Sequence, residues 1–140
     1  MSKIDDVLKF AYEKHKGQFD KAGVPYILHP LHVALQMETE DEKIVALLHD
    51  TLEDTDATIE DFKGLGLSEE IISNIKLLTR SKDMSYMEYI KIISTDKLAK
   101  KVKLKDLEHN LDDSRFKGDK NKTESLMKRY KKAYEFLKED

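Results

Sequence analysis

Residues 44–55 read Ile44-Val45-Ala46-Leu47-Leu48-His49-Asp50-Thr51-Leu52-Glu53-Asp54-Thr55. Thr39 and Glu42 form a capping box ahead of this run, and Glu40 and Asp41 are favourable near a helix N-terminus. Five consecutive apolar residues then give a helix that is apolar all round, which is the mark of a buried helix. It runs straight into four ionisable groups, His49, Asp50, Glu53 and Asp54. If the helix continues, His49 and Glu53 are i,i+4, as are Asp50 and Asp54, and all four gather on one broad side. Three carboxylates packed there repel one another and are costly to desolvate. A bound cation removes that problem by favouring the ionised forms. The same residues could also form a solvated helix end.

Helical periodicity extends outward in both directions. Upstream, Ile4, Val7, Leu8, Ala11 and His15 make one stripe behind a possible Ser2–Asp5 capping box. The stretch from Gln18 to Tyr26, with Gly23 and Pro25, reads as a loop. Pro30 pushes His29 out of helical geometry and suits a first helical turn, so His29 is expected at a loop-to-helix junction. Downstream, Thr58 with Asp61, Ser68 with Glu69 and Glu70, Ser85 with Glu88, and Thr95 or Asp96 mark further helix starts. A last helix over about Thr123 to Leu137 turns Leu126, Tyr130, Ala133, Tyr134 and Leu137 inward. Its lysine-rich outer face, with Arg129, reads as a solvated mixed-charge surface. No segment alternates as a strand does. The expectation is an all-α fold of roughly seven or eight helices in a single domain over residues 1–140.

Composition narrows the function classes. Of 140 residues, 38% are charged, above the roughly 25% of an average globular domain. The 25 Lys and Arg against 28 Asp and Glu leave a net charge of only −3. So balanced a chain gives no case for a nucleic-acid partner. There is no cysteine, which excludes disulfides, thiolate metal sites and a cysteine nucleophile. No apolar run approaches the roughly 18 residues that span a bilayer. A cytoplasmic protein with no membrane partner is expected, its oligomeric state open.

Two more residues bear on the chemistry. His29 sits in the setting Tyr26-Ile27-Leu28, where a lone histidine could equally be a satisfied structural group. Asp106 lies in Val102-Lys103-Leu104-Lys105-Asp106-Leu107, where an aspartate could simply pair with a neighbouring lysine. The ordered set of His29, His49-Asp50 and Asp106 is more telling than either residue alone.

That set resembles the H…HD…D pattern of the HD metal-dependent phosphohydrolases. The likeness is closest to the hydrolase domain of the RelA/SpoT enzymes and to the small stand-alone alarmone hydrolases. It is carried by His15-Lys16-Gly17-Gln18, Pro25-Tyr26-Ile27-Leu28-His29-Pro30, Leu47 to Thr55, and Val102 to Asp106. The resemblance implies an HD-type helical bundle in which His29, His49, Asp50 and Asp106 bind one divalent cation, often Mn²⁺. It implies that Glu53 and Asp54 activate and orient the attacking water, and that Lys21 and Asn110 meet a small phosphorylated nucleotide. The implied reaction is hydrolysis of the 3′-diphosphate of guanosine 3′,5′-bis(diphosphate), ppGpp, with release of pyrophosphate. A synthetase domain like that of the long family members is not expected within residues 1–140. Departures exist: Asp20-Lys21 replaces a family Arg-Lys pair, and Asp112-Asp113 follows where a basic or threonine-containing run is usual. They leave open an HD hydrolase for another nucleotide or phosphoester, or a metal- or nucleotide-sensing module without turnover. His15 is favoured as structural; His32 could pair with a carboxylate, and His109 is undecided.

Overall fold

Side-chain caps start five of the helices in this computed structural model, which describes residues 3–20, 22–112 and 120–139. Thr39 and Glu42 close both halves of the capping box on α3 (Glu40–Leu48), and Thr58 and Asp61 do the same for α5 (Ile59–Gly64). Ser68 caps α6 (Glu69–Leu77), Ser85 caps α7 (Tyr86–Ile93) and Asp96 caps α8 (Lys97–Asn110). Each of these side chains accepts from the N3 amide, one of the donors a helix start leaves over. The remaining helices are α1 (Lys3–His15), α2 (Leu28–Leu35), the single turn α4 (Thr51–Asp54) and α9 (Lys120–Lys138). Gly17, at φ 85, takes the left-handed conformation that ends α1. Ser2, Lys21 and Asp113 lie outside the described residues.

The architecture is all-α. Among the described residues no strand forms, and Phe19 and Pro25 make one isolated antiparallel bridge within the expected loop. Helix α3 is the centre: Ile44 to Leu48 are all buried, and α1, α2, α6 and α8 pack around it. Val7, Ala11, Val33, Phe62, Ile75, Ile90 and Leu107 fill the surrounding core, and Ala133 and Leu137 attach α9 to it. Leu8 departs from its expected stripe and is 38% exposed, because Val7 and Ala11 centre the buried face one position away. Replacing the fully buried Leu48 by alanine should destabilise the fold by about 2–5 kcal/mol in urea unfolding. A loss within roughly 0.5 kcal/mol, typical of surface sites, would contradict the central place of α3.

Two local expectations need correction. His29 is not outside helical geometry but is the second residue of α2, with Pro30 third. Within the first turn, amides have no intrahelical acceptor, so Pro30 loses no bond there. Nor does α3 run on through His49 and Asp50. The His49 ring Nδ1 bonds the Ala46 carbonyl at 2.6 Å, and the Thr51 hydroxyl donates to the Leu48 carbonyl at 2.8 Å. Side chains thereby satisfy the last carbonyls of α3, which ends at Leu48, and the chain restarts as α4.

Candidate metal centre

The α3–α4 break lets His49 and Asp50 present adjacent side chains to the same point. Helix α2 brings His29 to it, and the middle of α8 brings Asp106. One ligand-type atom from each of His29, His49, Asp50 and Asp106 lies within 4.8 Å of all the others. His29 Nε2 is 2.6 Å and His49 Nε2 3.3 Å from Asp106 Oδ1; they are 3.9 and 3.2 Å from Asp50 Oδ2. His29, His49 and Asp106 are buried, and Asp50 is half-buried.

Further hydrogen bonds hold the four side chains in place. His49 is anchored through Nδ1 on Ala46, so its Nε2 faces the cluster. Tyr26 Oη donates to Asp50 Oδ2 at 2.6 Å. Lys103 Nζ donates to Asp106 Oδ2 at 2.9 Å, and the Asn110 amide donates to Asp106 Oδ1 at 3.3 Å. Burial alone would lower the His49 imidazole, but the Asp50 and Asp106 carboxylates hold it up to about 9. Burial likewise opposes ionisation of Asp106, yet Lys103 and His49 hold its carboxyl well below the usual range. Burial, then the carboxylates of Asp50 and Glu53, push Asp54 up to about 6. Here negative charge is crowded and positive charge is drawn in, so two imidazoles with two carboxylates fit a divalent cation. Mn²⁺, Fe²⁺, Co²⁺ and Zn²⁺ are all compatible with that donor set.

Asp50 and Asp106 also line a cavity of about 370 Å³. Glu53, Asp54 and Asn110 line it, so the structure gathers the expected acidic pair and the asparagine beside the cluster. Glu53 Oε1 accepts from the Arg80 backbone amide at 2.7 Å, which ties α4 to the connection between α6 and α7. Expected Lys21 lies outside the described residues. His15 is buried, its Nδ1 lies 2.9 Å from Gln18 Oε1, and Gln18 donates to the Asp54 carbonyl. Asp20 Oδ1 accepts from the Ala22 and Val24 amides, so this departure from the family pattern holds the loop's turn.

Other wall residues were not anticipated. Lys103, read only as a bland pairing partner, is buried and lines the cavity with Tyr86 and Tyr89. Arg80 and Arg129 line it as well, and the Arg129 guanidinium lies 4.5 Å from the Tyr86 ring centroid. Arg129 thus belongs to the cavity wall and not simply to a solvated face. The available signal was the Arg129-Tyr130 pair at the edge of the apolar stripe of α9. Tyr86 Oη is buried with no hydrogen-bond partner among the described residues.

No family model matches the chain, but individual relatives do. It is 52% identical over 64 residues to guanosine-3′,5′-bis(diphosphate) 3′-pyrophosphohydrolase of Aquifex aeolicus, covering 43% of this chain and 9% of that protein. To the enzyme of the same name from Haemophilus influenzae it is 33% identical over 115 residues, covering 72% and 17%. The chain therefore spans only a small part of these long relatives. To the zebrafish (Danio rerio) guanosine-3′,5′-bis(diphosphate) 3′-pyrophosphohydrolase MESH1 it is 34% identical over 122 residues, covering 77% of this chain and 67% of that one. A solved structure of a metazoan SpoT ortholog that hydrolyses ppGpp superposes with a TM-score of 0.81 at 25% identity, over 98% of this chain and 86% of that one.

Proposed function

This chain belongs to the SpoT- and MESH1-like guanosine-3′,5′-bis(diphosphate) 3′-pyrophosphohydrolase family, and we propose that it removes the 3′-diphosphate of ppGpp-type nucleotides as pyrophosphate. The observation that carries this reading is the convergence of His29, His49, Asp50 and Asp106 in one cluster, whose two aspartates line a cavity together with Glu53 and Asp54.

In this proposal His29, His49, Asp50 and Asp106 hold one divalent cation, Mn²⁺ by resemblance to the family. When bound, that cation supplies Lewis acidity toward a phosphoryl oxygen and toward water. Glu53 and Asp54 stand one helical turn beyond Asp50, off the ligand set, where a carboxylate can act as a base. They orient the attacking water and take its proton as its oxygen bonds to phosphorus. The bond between that phosphorus and the ribose 3′ oxygen breaks, and the 3′ oxygen takes up a proton. Lys103, Arg80 and Arg129 give the wall positive charge to set against a substrate rich in phosphate. Asn110 faces the nucleotide from the α8 side, and Lys21 is kept as a phosphate contact by resemblance. No helix among the described residues is long and apolar enough to cross a membrane; a cytoplasmic setting is part of the same proposal.

Chromatography of the products from ppGpp tests the reading. Guanosine diphosphate and pyrophosphate in equal amounts are expected. Orthophosphate as the first product would overturn the 3′-pyrophosphohydrolase assignment, and turnover confined to another phosphoester would move the substrate.

A further inference from the structure

The two histidines of the cluster are oriented in different ways. His49 is anchored by a backbone carbonyl, at 2.6 Å on Ala46, which no side-chain substitution can delete. Among the described residues no backbone carbonyl anchors the His29 ring; its Nδ1 instead lies 2.7 Å from Nδ1 of His109. The two rings are inclined by only 8°, with centroids 4.9 Å apart. A centroid separation that exceeds the nitrogen separation by about the two ring radii means rings meeting edge to edge in one plane. That is the geometry of an N–H···N hydrogen bond rather than of a face-to-face stack. His32, one turn along α2 from His29, covers the face of the His109 ring at 4.0 Å between centroids and 18° between planes.

We propose that His109 is a positioning residue for the metal centre: it accepts the Nδ1 proton of His29 and so fixes the ring with which His29 presents Nε2 to the cation. This inference rests on the reading of the cluster as a cation site. A neutral imidazole has one donor and one acceptor nitrogen. For Nε2 of His29 to give its lone pair to a metal, the proton must sit on Nδ1, and the bond to His109 is then donated by His29. His109 in turn carries its proton on Nε2. Helix α8 therefore serves the site twice, through the ligand Asp106 and, three residues on, through the partner of the ligand His29. Metal-bound histidines ordinarily have such an outer partner, and losing it costs about 10–100-fold in metal affinity.

Two substitutions separate the hydrogen bond from the packing. His109→Phe keeps a ring against His32 and removes the acceptor. His109→Asn removes the ring but places Oδ1 where Nδ1 lies. Titration calorimetry of the full chain with Mn²⁺ alone should show His109→Phe weakened by about 10–100-fold, with His109→Asn close to the unsubstituted protein. Should circular dichroism show that His109→Phe does not fold, His109→Leu replaces it with the same expected loss. Wild-type affinity in the Phe or Leu variant overturns the proposal, as does an equal loss in the Asn variant, which would make the role one of packing. Because no nucleotide is present, a failure to hydrolyse ppGpp would leave this result standing and count only against the substrate reading. An unsubstituted protein that takes up no Mn²⁺ would overturn the cation site and this inference together.

Discussion

Asp50→Ala should leave a folded protein that neither takes up Mn²⁺ nor turns over ppGpp. Asp50 has the most accessible side chain among the four cluster residues, 17% exposed against 2–4% for the others. It is also one of the carboxylates that crowd Asp54. Its removal therefore creates no large void and relieves like-charge repulsion, at the loss of the Tyr26 hydrogen bond. Asp106 is a poorer target, since removing it would strand the buried Lys103 ammonium. Metal catalysis supplies several kcal/mol of transition-state stabilisation, so kcat/KM should fall by at least about a thousandfold at 1.36 kcal/mol per decade. Mn²⁺ at about a hundredfold excess over Kd should stabilise the unsubstituted protein by about 2.7 kcal/mol. Thermal melts with and without Mn²⁺ would show that gain and its absence in Asp50→Ala. A metal-dependent melting shift that survives the substitution would contradict the ligand assignment.

Glu53→Gln should separate binding from chemistry. The amide keeps an oxygen that can accept from the Arg80 backbone amide, so the tie between α4 and the α6–α7 connection persists. None of the four cluster residues is touched, and Mn²⁺ affinity should be unchanged. Loss of a general base ordinarily costs about 10²–10⁴-fold in rate, and here the loss should appear in kcat with little change in KM. Steady-state kinetics at saturating Mn²⁺ measure this directly. Turnover within a few-fold of the unsubstituted enzyme would place the base elsewhere, with Asp54 the next residue to replace.

Much of this molecule can be read from short-range chemistry. The caps at Thr39, Thr58, Ser68, Ser85 and Asp96 are local, since each side chain bonds an amide three residues ahead, and the structure forms all of them. The burial of α3 follows from five consecutive apolar residues. The four cluster residues were marked out by their order along the chain and by resemblance, and the structure brings them together.

What escaped the sequence depends on contacts between distant segments. The interruption at His49 and Asp50 depends on side chains competing for the carbonyls of Ala46 and Leu48, which helical periodicity does not register. In the run Lys100-Lys101-Val102-Lys103-Leu104-Lys105, nothing local says that Lys103 turns inward. Its ionised state there is sustained, against burial, chiefly by Asp106. Arg80 and Arg129 reach one cavity from the α6–α7 connection and from α9, so their convergence is purely tertiary. His109 is undecidable from its neighbours because the partners that give it meaning, His29 and His32, are on α2.

The central claim is that a divalent cation held by His29, His49, Asp50 and Asp106 serves hydrolysis of a nucleotide 3′-diphosphate. It is tested most directly by pyrophosphate release from ppGpp, using protein stripped with a chelator and then titrated with Mn²⁺. The account predicts no release from the stripped protein and restoration that saturates at one Mn²⁺ per chain. Release that is indifferent to the chelator, or none at any Mn²⁺ concentration from protein that demonstrably binds the ion, would contradict it.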